Sequence, residues 1–139
     1  MKILHVYKAA HPESVGGVEQ VIHQLARATV HKGIEVSVLT LTAEKKASVI
    51  EIDGYKIHRI PVDFEIASTG FSLAAIFAFK HLSSEADLIH YHYPWPFMDI
   101  MHFITAVKKP SLVTYHSDIV KQKFLLKIYK PLMRFFLSY

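Results

Sequence analysis

Apolar residues along this chain change period repeatedly. Ile3 to Tyr7 forms a short apolar run of the kind a buried strand needs. A polar, glycine-containing stretch, Lys8 to Gly17, separates it from Val18, Val21, Ile22, Leu25, Ala26 and Thr29, whose spacing of three and four residues lays one stripe along a helix. Gly33 ends that helix, and Glu35 to Leu41 resumes a strand rich in Val and Leu. The three pieces predict a βαβ unit. Because the connection is a helix and both strands are apolar on both faces, the sheet is expected to be parallel and covered on both sides.

The pattern then departs once from this rhythm. Val49 to Ile60 alternates around Asp53-Gly54, a two-residue hairpin signal, which predicts a small antiparallel excursion. Beyond it the chain reads as a helix over Leu73 to Leu82, a core strand over Asp87 to Tyr91, a helix over Phe97 to Val107, and a strand over Ser111 to Tyr115 after Pro110. From Ile119 onward it reads as helix, with Pro131 expected to kink or break it. The predicted fold class is α/β: a Rossmann-like, mostly parallel sheet with helices on both faces. No internal repeat or low-complexity segment interrupts it. The last helix has no C-cap signal and no strand after it, so the chain reads as a piece of a longer protein.

The 139 residues, 51% of them hydrophobic, suffice for one packed domain, residues 1–139. Cysteine is absent, which excludes disulfides and thiolate metal sites and favours a reducing, cytoplasmic setting. No apolar stretch approaches the ~20 residues of a membrane span. The net charge of +4 is uneven: 9 basic and 11 acidic residues lie up to Val107, against 7 basic residues and one acidic, Asp118, from Lys108 to Tyr139. That local basicity points to an anionic surface or ligand near the C-terminus, not to general nucleic-acid binding.

In an open α/β sheet ligands bind at the carboxyl ends of strands, and three loops leave such ends with unusual content. Gly16-Gly17 precedes the first helix, where backbone can approach a phosphate and the helix N-terminus supplies N–H donors, although a turn in front of a helix needs glycine equally. His90-Tyr91-His92-Tyr93-Pro94-Trp95-Pro96 places imidazoles, aromatics and prolines after a strand, as the wall of a sugar pocket would. His90 and His92 fall on one side, but with no third ligand at metal spacing nearby the expected metal content is none, and His90 reads as strand-end packing. In Thr114-Tyr115-His116-Ser117-Asp118, His116 has the chemistry to act on a hydroxyl or hold a sugar oxygen. Asp118 either orients a ligand or caps the helix at Ile119. The other histidines, His5 among them, read as scattered.

Taken in order, Lys2-Ile3-Leu4-His5-Val6, Gly16-Gly17-Val18-Glu19-Gln20-Val21, Gly33-Ile34-Glu35-Val36, Asp87-Leu88-Ile89-His90 and Thr114 to Asp118 resemble the N-terminal domain of retaining glycosyltransferases of the group 1, or family 4, type. Ile34 departs from the histidine usual in Gly-His-Glu-Val, at a position read as packing. The resemblance implies a GT-B architecture of two facing Rossmann-like domains, of which this is the acceptor-side one and the C-terminal donor-binding domain is absent. It implies a nucleotide-sugar donor whose diphosphate approaches Gly16 and Gly17 and a catalytic role for His116 near the transferred sugar; the local residue content adds an acceptor or sugar pocket drawing on His92, Tyr93, Trp95 and Asp118. No cofactor or metal is implied, since protein cations and helix dipoles can stabilise the departing diphosphate. Ile66-Ala67-Ser68-Thr69, His92 to Pro96 and Ser117-Asp118-Ile119-Val120 are similar to the subset that builds bacterial lipopolysaccharide or polysaccharide, often transferring mannose.

On a helix from Ile119, Lys123, Lys127, Lys130 and Arg134 fall within an arc of roughly 60°, a basic face suited to an anionic membrane surface and a lipid-linked acceptor. Packing of the apolar faces on the sheet, with the cations solvated, is the other reading. The competing function is a non-enzymatic, flavodoxin-like small-molecule-binding module, complete in one domain.

Overall fold

The computed structural model describes residues 1–66, 69–116, 131 and 134. Strand β1 (Lys2–Val6) leads through a loop to helix α1 (Gly17–Val30) and strand β2 (Glu35–Thr42). The hairpin follows as β3 (Ser48–Ile52) and β4 (Tyr55–Pro61), then two three-residue strands, β5 (Phe64–Ile66) and β6 (Thr69–Phe71). Helix α2 (Leu73–Glu85), strand β7 (Leu88–Tyr93), helix α3 (Pro96–Thr105) and strand β8 (Ser111–Tyr115) complete the described elements.

The main sheet has the order β3-β4-β2-β1-β7-β8, parallel throughout except for the edge pair β3–β4. From β1 the chain grows outward to β2 and β4, then returns to the other side of β1 for β7 and β8. That reversal is the switch point at which open α/β sheets leave a crevice beyond their carboxyl ends.

Both faces are covered, as expected. Leu4, Val6, Leu39, Ile89, Tyr91 and Tyr93 pack on one face against Ala75 and Phe79 of α2 and Phe97, Met98 and Met101 of α3. Tyr7, Val36, Val38, Tyr55 and Ile57 pack on the other against Ile22 and Ala26 of α1. The α/β class and the parallel sheet expected from the sequence are what the chain adopts, with element ends moved by one to three residues.

Three differences have local causes. Helix α2 runs on to Glu85, starting under a Ser72 cap whose hydroxyl accepts from the Ala75 amide at 3.2 Å. Helix α3 stops at Thr105, short of Val107, because Ala106 turns into the left-handed region at φ 51°. The β5–β6 pair goes unmarked in the sequence because β5 is exposed throughout and has no buried face to impose an alternation; Phe64 stacks on Phe71 at 5.1 Å instead. The helix expected from Ile119 lies outside the described residues, apart from Pro131 and Arg134, which are helical and exposed.

Asp53 and Gly54 both take positive φ, 48° and 87°, as a type I′ hairpin turn requires. Gly33, after α1, is also left-handed at φ 80°, yet a Cβ there would meet no described residue within 4 Å, whereas one on Gly54 would come 2.8 Å from the Val30 side chain. Gly54→Ala is therefore expected to destabilise the chain by about 2 kcal/mol, and Gly33→Ala by about 1 kcal/mol. Urea melts of the two variants check the order; equal losses would remove the contact between turn and helix as the cause.

Candidate active site at the sheet switch point

Three segments leave the carboxyl ends of β1, β7 and β8 around the switch point: the loop to Gly16-Gly17, the Pro94-Trp95 turn, and His116. The first is fastened at several points. Glu13 accepts from the Thr42 hydroxyl at 2.5 Å and faces Arg59, which pairs with Glu44 at 2.7 Å, so the ends of β2 and β4 hold the loop. The Ser14 hydroxyl donates to Glu19 at 2.9 Å. Glu19, in the first turn of α1, is buried, and its carboxylate fills the space that a side chain on Gly16 would take. A carboxylate there also suits the positive end of the helix dipole. Gly17 is different: no described residue lies within 4 Å of where its Cβ would be, and its φ is not left-handed. Among the described residues, no contact requires glycine at residue 17.

The second feature is a cluster of imidazoles on the sheet face that α1 covers. Parallel register sets His5 of β1 beside His90 of β7, and His92 beside Thr114 of β8. His5, His90 and His92 are all buried, and one ring nitrogen from each lies within 4.8 Å of the others. His90 and His92 stack at 4.2 Å between centroids, while His5 is tilted against His90 at 5.0 Å and lies 5.2 Å from His92. His5 Nδ1 and His92 Nε2 are 2.9 Å apart, His92 Nδ1 and His116 Nε2 are 2.9 Å apart, and His90 Nε2 meets the Thr114 hydroxyl at 2.6 Å. The His116 amide donates to the Tyr93 carbonyl at 3.0 Å, prolonging the ladder by one bond and fixing where that ring begins.

Burial keeps this cluster uncharged. Desolvation, followed by the neighbouring rings, lowers His5 from its ordinary 6.5 to about 3, His90 to about 4 and His92 to about 2. His116 is lowered by desolvation alone.

Residues 15–139 match the Glycosyltransferase Family 4 domain family. The chain belongs to glycosyltransferase family 4. It is 50% identical over 137 residues to the D-rhamnosyltransferase WbpZ of Pseudomonas aeruginosa, and 44% identical over 138 residues to the O-antigen chain mannosyltransferase C of Escherichia coli. Each alignment covers 99% of this chain but 36% and 37% of the relative, so the chain spans about a third of their length. Among solved structures, sucrose-phosphate synthase from Thermosynechococcus elongatus superposes with a TM-score of 0.69 at 16% identity, over 99% of this chain and 40% of that one. The fold is that of the N-terminal half of a GT-B glycosyltransferase, as the sequence motifs imply.

Against this family 4 frame, the residues picked out in the sequence separate. Gly16, Gly17 and His116 lie at carboxyl-end loops flanking the switch point. Tyr93 and Trp95 do not form an exposed aromatic wall: they are 0% and 1% exposed. Strand alternation sends Tyr93 to the face opposite His92, where it stacks on Tyr115, and Trp95, just before α3, packs edge-on against Phe97. His92 is likewise fully buried and engaged at both ring nitrogens. Asp118, Lys123, Lys127 and Lys130 lie outside the described residues, and Arg134 is exposed on helical backbone.

His5 is what sequence reasoning missed. The premise that no third imidazole stands near His90 and His92 fails, because β1 and β7 are neighbours and His5 arrives in register from 85 residues away. Its position in the strand pattern was visible; its register with β7 was not.

The cluster makes a prediction about acid stability. With folded-state values below the ordinary one, the unfolded chain binds protons that the folded chain refuses. The stabilisation is whole above pH 6.5 and is lost as pH falls from 6.5 toward about 4 for His90, about 3 for His5 and about 2 for His92, at up to about 1.4 kcal/mol per pH unit for each imidazole. Denaturant melts between pH 7.5 and 4.5 should show this decline, and the His5→Leu chain should show a shallower one. An unchanged slope would place the acid sensitivity elsewhere.

Proposed function

We propose that this domain is the acceptor-side half of a retaining glycosyltransferase, which transfers a sugar from a nucleoside-diphosphate sugar to a glycan or lipid-linked acceptor in cell-surface polysaccharide or lipopolysaccharide assembly. The observation that carries the reading is the grouping, around one switch point, of an unobstructed Gly17 at the N-terminus of α1 and of His116 at the end of β8. Its relatives, named as a D-rhamnosyltransferase and an O-antigen mannosyltransferase, support a deoxyhexose or hexose as the sugar transferred.

In this reading the donor diphosphate approaches the backbone at Gly16-Gly17, where amides and the helix dipole favour negative charge. His116 faces the transferred sugar. A second, donor-binding domain supplies the cations that hold the nucleotide, and charge on the departing diphosphate is met by protein groups without a bound metal. A domain that holds only this share of the site binds donor weakly and turns nothing over.

Three measurements test this. The 139-residue chain should bind GDP-mannose and UDP-glucose more weakly than micromolar by calorimetry, and sub-micromolar binding would sink the idea. In the intact enzyme, Gly17→Val should leave the melting temperature nearly unchanged, since space is open there, yet lower turnover by at least tenfold. His116→Ala should lower kcat with the fold intact; unchanged kcat removes it from the site.

The same reading sets the enzyme on a membrane surface. No helix among the described residues is long and apolar enough to cross a bilayer, so contact would be peripheral, through Lys123, Lys127, Lys130 and Arg134, at about 1 kcal/mol for each surface-proximal cation. Arg134 is exposed, as that role requires. Co-sedimentation of the intact enzyme with phosphatidylserine-containing liposomes should weaken with salt and drop when all four become glutamine. Undiminished binding by the quadruple variant excludes this face.

A further inference from the structure

Three histidines are connected in series. His5 meets His92 through Nδ1 and Nε2 at 2.9 Å, and His92 meets His116 through Nδ1 and Nε2 at 2.9 Å, so both contacts have the same polarity. The inner end, His5 Nε2, is buried with no hydrogen-bond partner among the described residues, and the outer ring, His116, is half-buried at the strand end. A neutral imidazole has one N–H and one lone pair, and these sit on different nitrogens. If His5 donates from Nδ1, His92 receives at Nε2, carries its own proton on Nδ1, and donates to Nε2 of His116, whose proton is then on Nδ1. If His116 donates from Nε2 instead, all three protons shift to Nε2. Mixed arrangements set two lone pairs, or two N–H groups, against each other at 2.9 Å.

We propose that His5 and His92 are positioning residues: they act as one hydrogen-bonded unit that imposes a single, shared tautomer and a fixed ring plane on His116. The arrangement leaves Nδ1 as the His116 nitrogen available to a sugar oxygen, and its donor or acceptor character is tied to the tautomer that His5 and His92 carry. Thr114 holds His90 apart from this series through its hydroxyl, so His90 packs beside the relay without joining it. The inference rests on the reading of His116 as the residue facing the transferred sugar, and it adds two residues that touch no substrate.

Long-range proton–nitrogen correlation spectra of the 139-residue chain at pH 7 test the unit itself. His5, His92 and His116 should all be neutral and share one tautomer. In the His92→Leu chain, His116 should become a mixture of tautomers, and His5→Leu, a change two rings away, should alter the His116 signals as well. Should His92→Leu not fold, His5→Leu carries the test alone. In the intact enzyme assayed with GDP-mannose or GDP-rhamnose, His92→Leu should lower kcat about tenfold while donor KM stays within twofold. His92→Asn, whose amide reaches the place of the imidazole Nδ1, should recover most of that loss.

Unlike tautomers among the three rings would overturn the relay. So would stoichiometric zinc in the purified chain, because a metal on His5 and His92 replaces the proton they share. An unmoved His116 spectrum in both leucine variants overturns it as well. Failure of the functional reading is a separate result: His116→Ala would retain kcat whatever the spectra show.

Discussion

A parallel strand in the middle of a sheet has little face to show to water, and β1 is such a strand, flanked by β2 and β7 and covered by α2 on one side, while His5 is buried on the other. Every residue it contributes must therefore be apolar or satisfied by a neighbour. Leu4 and Val6 meet the first condition. His5 can meet only the second, and the partners available to it are side chains that β7 delivers in register. The imidazole cluster is the consequence of placing a polar ring on the most enclosed strand of the fold.

From the same strand comes the position of the site. Growth of the sheet away from β1 in both directions parts the loops above its carboxyl end, and the β1–α1 loop and the ends of β7 and β8 border the opening. The first of these is not slack: ion pairs and hydroxyl contacts from β2, β4 and Glu19 hold it, while Gly17 remains unobstructed. Stability and ligand access are divided between adjacent residues, Gly16 packed against a carboxylate and Gly17 open.

Burial then sets the electrostatics. Imidazoles taken out of water lose the charged form first, and once neutral each has one donor and one acceptor to place. Here they do so by bonding to each other and to Thr114, with His5 Nε2 left unpartnered among the described residues. The result is a polar array without net charge beneath a loop at which a diphosphate is proposed to bind. A fixed positive charge there would be paid for in desolvation.

Periodicity alone was enough for the architecture: the βαβ start, the Asp53-Gly54 turn, the two later helices and the strand Ser111–Tyr115 all follow from local patterns, because apolar spacing and positive-φ turns are properties of neighbouring residues. The ordered motifs from Lys2 to Asp118 likewise carried the family. Local patterns misplaced the aromatics after β7: Tyr93 and Trp95 look like a pocket wall in sequence, and which face of a strand they join depends on where α3 packs. Strand β5 left no signal because nothing buries it. The relay needed most from tertiary structure, since His5, His92 and His116 are brought into line only when β1, β7 and β8 lie side by side in one register. A sequence lists hydrogen-bonding groups, but register between strands far apart in the chain decides which of them meet.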